Sequence, residues 1–420
     1  MILHDWEPVP SDVDVCIVGS GPVGLALALK CANQGLSVAI LEAGEEREAT
    51  KGGDAPYDDS VTPHHVTPSL AAASGLGGTS RLWSGRCVPL DDIDFEERAF
   101  VPFSGWPITR ADISVYHTEA LEFLGSGAGS PPPSDWILGG NVSNTVLERW
   151  SSEPDLSRLH GQALRTSQDI KVCTSCTATE IKFDDGRRAT ALIARRRGHV
   201  VEVKAKFLVL AAGGLGNTRL LLATQRKWPR KFGGPGGPLG GFCTGHLTGY
   251  LAKIRFHQQA LVPGLWYQKG ARGTFTRRRL SISPETQRTQ SLLNIGFWLD
   301  PISIADPAHC SGALSAIYLG LETLGLYKRL GSGLAPSTIR GKSGAKRQHW
   351  ANIRGDGEII PGLLSVVSCR VRQGMATRMR GLVNPTGHYL LRFHAEQAPI
   401  QPTACGCWTI IMMRRCRTFG

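Results

Sequence analysis

The chain has 420 residues, enough for two domains with substantial cores, and its 41% hydrophobic content excludes a disordered protein. Eleven irregularly spaced cysteines exclude a disulfide-stapled secreted module, and a formal charge of +12 raises nucleic acid or an anionic membrane surface as partners. The arginines gather at Arg187–Arg188, Arg195–Arg197, Arg277–Arg279 and Arg414, Arg415 and Arg417 without interleaved aromatic residues, which reads as solvated surface rather than a nucleic-acid face.

No apolar run reaches transmembrane length and no basic-then-apolar leader opens the chain, so a cytoplasmic location is expected. Val13, Val15, Ile17 and Val18 form a short β-branched run that ends in Gly19-Ser20-Gly21-Pro22-Val23-Gly24, and a helix is expected over 25–34. A second strand over 36–41 delivers Glu42, whose carboxylate is suited to accept hydrogen bonds from the ribose hydroxyls of an adenine dinucleotide. Gly19 permits a tight turn, Gly21 lets the backbone approach a pyrophosphate, and Gly24 lets helix and strand pack closely. NAD and FAD both satisfy this pattern, whereas the acid disfavours the 2′-phosphate of NADP.

Residues 44–70 read as a surface excursion in which His64 and His65 have no companion ligands, and no metal site is expected. In the stretch from Ala71 to Leu90, Gly75, Gly77 and Gly78 expose backbone beside Thr79 and Ser80, and Trp83 follows within reach of a cofactor plane. Thr109 is a candidate N-cap for a helix through Phe123. Cys173 and Cys176 form a CxxC without a second pair or a helix start, and a structural or incidental role is expected.

Strands over 170–172, 178–183, 189–194 and 199–203 read as a small meander, followed by a fully apolar strand over 207–210. That strand empties into Ala211-Ala212-Gly213-Gly214-Leu215-Gly216 and a leucine-rich helix, which repeats the opening architecture. Further strands are expected over 250–256 and 292–299 and a helix over 314–324, while residues 330–385 yield no element that can be placed.

The segments VGSGPVG with ILEAG, GLGGTSRLWSGR, ATEI at 178–181, AAGGLGNTRLLL and FHAEQAP at 393–399 resemble the glucose-methanol-choline (GMC) family of FAD-dependent oxidoreductases. The similarity is strongest to pyranose oxidase-like members and to bacterial alcohol or sugar dehydrogenases of that family. The resemblance implies an α/β fold: a Rossmann-like FAD-binding domain with an interleaved substrate domain built on an antiparallel sheet. It divides the chain into 1–125 and 169–245 for the FAD-binding domain, 126–168 as a connecting insertion, 246–399 as the substrate domain and 400–420 as an aberrant tail.

By the same resemblance, Gly19, Gly21 and Gly24 hold the FAD pyrophosphate and Glu42 the ribose. Gly77, Gly78, Thr79, Ser80 and Trp83 run along the pyrophosphate and ring, Ala178 approaches the adenine, and Gly213 packs near the cofactor. Leu82 stands where some members carry a histidine bonded to the flavin, which implies dissociable FAD. The implied reaction moves a hydride from a carbinol carbon of an alcohol, sugar or polyol to flavin N5 while a histidine base takes the hydroxyl proton. Oxygen, a quinone or a redox protein are the open electron acceptors.

The family's base lies in a C-terminal region that this chain does not reproduce. After FHAEQAP the residues IQPTACGCWTIIMMRRCRTFG show neither strand nor helix period and look truncated or frameshifted. His246 resembles a structural histidine and His394 a residue of the substrate domain, and neither is assigned as catalytic. A catalytically inactive flavoprotein and an NAD-binding dehydrogenase or regulatory module are the competing expectations.

Overall fold

A computed structural model describes residues 1–3, 6–46, 72–127, 140–184, 188–242, 244–256, 262–269, 274–327, 346–373 and 382–399. The expectations for His64, His65 and the tail 400–420 lie outside the described residues.

The opening run forms β1 (Asp12–Val18), and the glycine turn leads into α1 (Pro22–Ala32), whose proline sits where the missing N–H costs nothing. Then comes β2 (Val38–Leu41), buried at every position. Next are β3 (Arg86–Cys87), α2 (His117–Phe123), β4 (Val142–Ser143) and β5 (Leu147–Trp150). The helix expected from Thr109 is broken: one turn over Arg110–Ser114 precedes α2, with Thr109 and Asp112 forming a capping box.

β6 (Ile170–Cys173), β7 (Cys176–Asp184), β8 (Arg188–Arg196) and β9 (His199–Leu210) lead to α3 (Gly213–Lys227). Further on lie β10 (Leu247–Arg255), β11 (Gln268–Lys269), β12 (Phe275–Arg278), β13 (Leu280–Ile282) and β14 (Ile295–Pro301). Helices α4 (Gly312–Thr323), α5 (Lys346–Gly355) and α6 (Ile359–Gln373) precede β15 (His388–Ala395).

The α/β class holds, but the expected Rossmann-like domain with one interleaved antiparallel sheet is corrected by the strand order. The main sheet runs β6-β2-β1-β9-β8-β7, with β6, β2, β1 and β9 parallel and β9, β8 and β7 antiparallel. It is a mixed sheet rather than the classic doubly wound one, because the meander grows out of the parallel strands. β9 makes this possible as a single 12-residue strand where two were expected. Its first half pairs with β8 and its second with β1, a change of partner that needs no change of backbone conformation. Two antiparallel sheets, β10-β15-β14-β13-β4 and β11-β12-β5-β3, replace the single one expected.

Alternation along β1 divides the core. Val15 and Ile17 pack with Leu25 and Ala28 of α1, whereas Cys16 and Val18 pack with Leu220 of α3 on the opposite face. Cys173 and Cys176 join the α3 side, and burial pushes the thiols of Cys16 and Cys173 up to about 12 and that of Cys176 to about 11. They are inert core residues, as a structural role requires. Arg196, in a run expected at the surface, is buried and donates to the carbonyls of Thr174, Glu7 and Leu3.

Among the described residues no helix is long and apolar enough to cross a membrane, and no group of three or more His, Cys, Asp or Glu is arranged for a metal. The α4–α5 contact encloses His309, which is fully buried and accepts from Ser311 N–H at 3.0 Å through Nδ1. Burial, with His349 beside it, pulls this imidazole down to about 3.

The folded pKa lies below the unfolded value, so this contribution is intact above about pH 6.5 and is lost as pH falls towards 3. At pH 5 the loss amounts to about 2 kcal/mol. Urea unfolding at pH 7 and pH 5 should show that drop, and His309→Gln should show a smaller one; an unchanged pH slope in the variant would remove His309 as its source.

Candidate cofactor and substrate site

β1 and β9 finish together, since Ala211 N–H donates to Val18 O at 2.8 Å, and α1 and α3 leave that edge towards opposite faces. Ligands of open α/β sheets bind at such a divergence. The glycines there divide into two kinds. Gly19 has φ +97°, and a Cβ on it would stand 2.7 Å from Ala211 O; a Cβ on Gly24 would stand 2.0 Å from Gly19 O. Both are demanded by the chain's own packing.

Gly21, Gly213 and Gly214 are different. The nearest heavy atom to a Cβ on Gly21 is Ala211 O at 4.0 Å, and nothing lies within 4 Å of one on Gly213 or Gly214. They form an open strip of bare backbone. No side chain caps α1 and its first turn holds no acid, so the Val23 and Gly24 N–H groups are left without intrahelical acceptors. Donors at a positive helix end, faced by space that a side chain would fill, fit a dinucleotide pyrophosphate.

Glu42 is 5% exposed. Its Oε2 accepts from Ser20 N–H at 2.9 Å and Ser20 Oγ at 2.7 Å, and its Oε1 accepts from Gly44 N–H and Gly75 N–H, each at 2.9 Å. Its four lone-pair sites are therefore filled by the chain, and it braces the glycine turns where a ribose contact was expected.

The second loop closes on the first. Gly77 and Gly78 both have positive φ, and a Cβ on Gly78 would lie 2.9 Å from Gly21 Cα. Ser80 is buried, donating to Gly77 O at 2.6 Å and accepting from Leu156 N–H at 3.2 Å, so its hydroxyl serves the loop. Thr79 is exposed. Ala178 lies in β7, two residues beyond Cys176, whose N–H donates to Glu42 O at 2.8 Å. The structure thus brings the two glycine turns, Glu42, Ser80, the chain entering Gly213 and the start of β7 together, while Trp83 continues from Gly78 into a cavity.

That cavity has a volume of about 950 Å³. Trp83, whose Nε1 donates to Pro154 O at 2.7 Å, shares its lining with Phe103, Trp106 and Phe242. His246 and His394 also line it, stacked with ring centroids 5.6 Å apart and planes 4° apart. Its charged wall was not foreseen. Arg98 makes a two-pronged pair with Glu396, at 2.8 and 2.6 Å, and Arg86 reaches Glu148 behind it.

Glu148 also accepts from Arg277 Nε and Nη2 at 2.9 and 2.5 Å, so Arg277, 2% exposed, is core and not surface charge. Burial opposes ionisation of Glu148, and the two guanidiniums more than offset it, holding the carboxyl below its usual range. Alternation in β12 was the available signal: the neighbours Arg277 and Arg278 must face opposite sides.

Comparison with known proteins places a FAD binding domain family over residues 12–55. FAD is the cofactor, and Leu82 offers no nucleophile for a covalent bond. The chain is 24% identical to a 2-methyl-1,2-propanediol dehydrogenase of Mycolicibacterium austroafricanum, over 57% of this chain and 56% of that protein. It is 25% identical to an L-aspartate oxidase of Mycobacterium tuberculosis, over 60% of this chain and 44% of that protein. The chain thus spans about half the length of the curated relatives it matches. A fungal aryl-alcohol oxidase structure covers 97% of this chain and 82% of its own at 13% identity, with a TM-score of 0.38.

The expected membership of the GMC family, with its pyranose oxidase-like neighbours, is corrected by these matches. The matching family describes an FAD binding domain in general, and the relatives range from a diol dehydrogenase to L-aspartate oxidases. A flavoprotein stands and a GMC-type enzyme does not.

Two substitutions separate the kinds of glycine. Gly24→Ala should destabilise the fold by about 3 kcal/mol or more in urea. Gly21→Ala should keep wild-type stability and bind FAD at least about tenfold more weakly, about 1.4 kcal/mol, in a flavin-fluorescence titration. Unchanged FAD affinity would take Gly21 out of the site. Glu42→Gln turns an amide N–H₂ towards backbone donors and should cost about 1–3 kcal/mol of stability, read from the same urea curves.

Proposed function

We propose that the protein is an FAD-dependent oxidoreductase that oxidises the CH–OH group of a small alcohol, sugar or polyol, with His394 taking the hydroxyl proton. FAD, when bound, supplies the hydride acceptor. The bare backbone at Gly21 and Gly213 with the α1 N-terminus holds its pyrophosphate, and the Gly77–Trp83 segment leads from there to the cavity where the alcohol binds. The diol in the printed name of the Mycolicibacterium relative supports this substrate class.

The observation that carries the proposal is the setting of His394. Its ring meets the Trp298 ring edge-on, with centroids 4.8 Å apart. The guanidinium carbons of Arg86, Arg277 and Arg392 lie 4.4, 5.2 and 5.7 Å from the centre of the same indole. Glu148 pairs with Arg86 and Arg277, and Asp300 accepts from Arg392 at 3.2 Å. Three guanidiniums face two carboxylates, so one positive charge is uncompensated beside the imidazole.

Burial, then Arg86, His246 and Arg392, pull the His394 imidazole down to about 4. It is neutral at pH 7 and able to accept a proton when a substrate hydroxyl lies against it. His246, exposed and stacked on it, lies on the solvent side of the pair.

Anaerobic mixing of the FAD-loaded protein with a panel of alcohols tests this. His394→Asn should slow flavin reduction by about 10²–10⁴-fold while FAD binding is retained. A base must be neutral to act, so the rate should hold from pH 8 to about 5 and fall as pH drops through about 4. No bleaching with any alcohol would overturn the activity, and a wild-type rate in His394→Asn would overturn the assignment of the base.

A further inference from the structure

The short strands β3 and β5 have two faces, and only one serves the cavity just described. Glu148 and Trp150 point to the arginine cluster with Arg86, while Leu147 and Arg149 point the other way with Cys87. On this second face lies a separate cavity of about 540 Å³, between β5, β13 and α2. Its size suits a small molecule.

Two groups in it are unsatisfied. Arg149 is half-buried, and among the described residues its guanidinium has neither an ion pair nor a hydrogen bond. Burial alone lowers its pKa. The carboxylates that share the lining are engaged elsewhere: Asp91 pairs with Arg279, and Asp92 accepts from Arg110 at 3.0 Å. A cation drawn partly out of water without a counter-charge is costly.

Gln287 is the second group. It is 1% exposed, and its Nε2 donates to Ile282 O at 2.9 Å and to Asn294 Oδ1 at 3.3 Å, yet its Oε1 has no donor. Buried amide oxygens are almost always paired, so an unpaired one on a residue of the cavity lining suits a ligand's N–H or O–H. The remaining polar lining is hydroxylic at Thr118, Ser143, Thr145 and Ser281, joined by the ring of His117.

We propose that this cavity is a second binding site, independent of the oxidation reaction, for a small carboxylic acid that also carries a hydrogen-bond donor. The carboxylate pairs with the fork of Arg149, whose planar donors match it in two-pronged fashion, and the donor fills Gln287 Oε1.

Calorimetric titration of the FAD-loaded protein with L-malate, acetate and inorganic phosphate tests it. L-malate should bind at one saturable site and more tightly than acetate, which lacks the hydroxyl. Arg149→Gln should weaken L-malate at least about tenfold, and Arg149→Lys, which keeps charge but not the fork, should fall between. Thr118→Trp, placed on the exposed helix rather than on β5, should block binding without touching the strand, so a misfolded Arg149 variant leaves the test intact.

His394→Asn should leave L-malate binding unchanged, which separates this site from the oxidising cavity and its failure from that of the proposed activity. L-malate binding that ignores both Arg149→Gln and Thr118→Trp, binding by phosphate and not by either carboxylate, or no binding at all would overturn the proposal.

Discussion

The Glu42 carboxylate is the contact on which the site depends. At 5% exposure an unfilled carboxylate would be prohibitive, and this one is tolerated because Ser20, Gly44 and Gly75 supply four hydrogen bonds. Those donors belong to three segments, and a fourth is tied to the same residue through Cys176 N–H on Glu42 O. One side chain therefore sets the β1 turn, the end of β2, the second glycine loop and the start of β7 relative to one another. Because Gly75 is held there, Gly78 closes on Gly21, and the chain that follows delivers Trp83 to the cavity.

A second constraint acts through strand alternation. β5 carries Glu148 and Trp150 on the face where Arg86 and Arg277 converge, and Arg149 on the face where no partner stands among the described residues. Burying Arg277 to 2% exposure requires a carboxylate and aromatic faces in contact with it, and Glu148, Trp150, Tyr267 and Trp298 supply them. The cluster is not neutral, and with burial its Arg86 and Arg392 charges hold the His394 imidazole below the usual histidine range. The same strands thus produce a neutral imidazole on one side and an uncompensated cation on the other.

What could be read from the sequence was local. β1, α1 and β2 were legible because a buried strand, a glycine turn and a helix are each encoded within a few residues. The N-cap at Thr109 was legible for the same reason, while its capping box with Asp112 and the break before α2 were not. β9 looked like two strands because its pairing partner changes midway, which no single-strand pattern records. α5 and α6 were missed because Trp350, Ile360, Leu364, Val367 and Val371 are exposed, so the apolar positions do not mark one buried stripe. The family name failed on different grounds: glycine loops, small hydroxyls and a terminal acid are what any dinucleotide turn needs, and so they speak for a dinucleotide and not for one lineage of FAD users.

The place of His394 follows from register rather than from any motif. In the sheet it stands between Thr248 of β10 and Gly296 of β14. Gly296 has no side chain to crowd the imidazole, and the space a Cβ would take is bounded by Arg279 Cδ at 3.2 Å. One residue further on either strand would put Phe297 or Phe393 towards the cavity, because a slip of one turns every side chain to the other face. The bond from Glu396 N–H to Asn294 O at 2.9 Å and the two-pronged pair of Glu396 with Arg98 fix that register at the end of β15, two residues from the ring. The charged wall of the cavity therefore has a mechanical role as well as an electrostatic one: it locks the strand that presents His394.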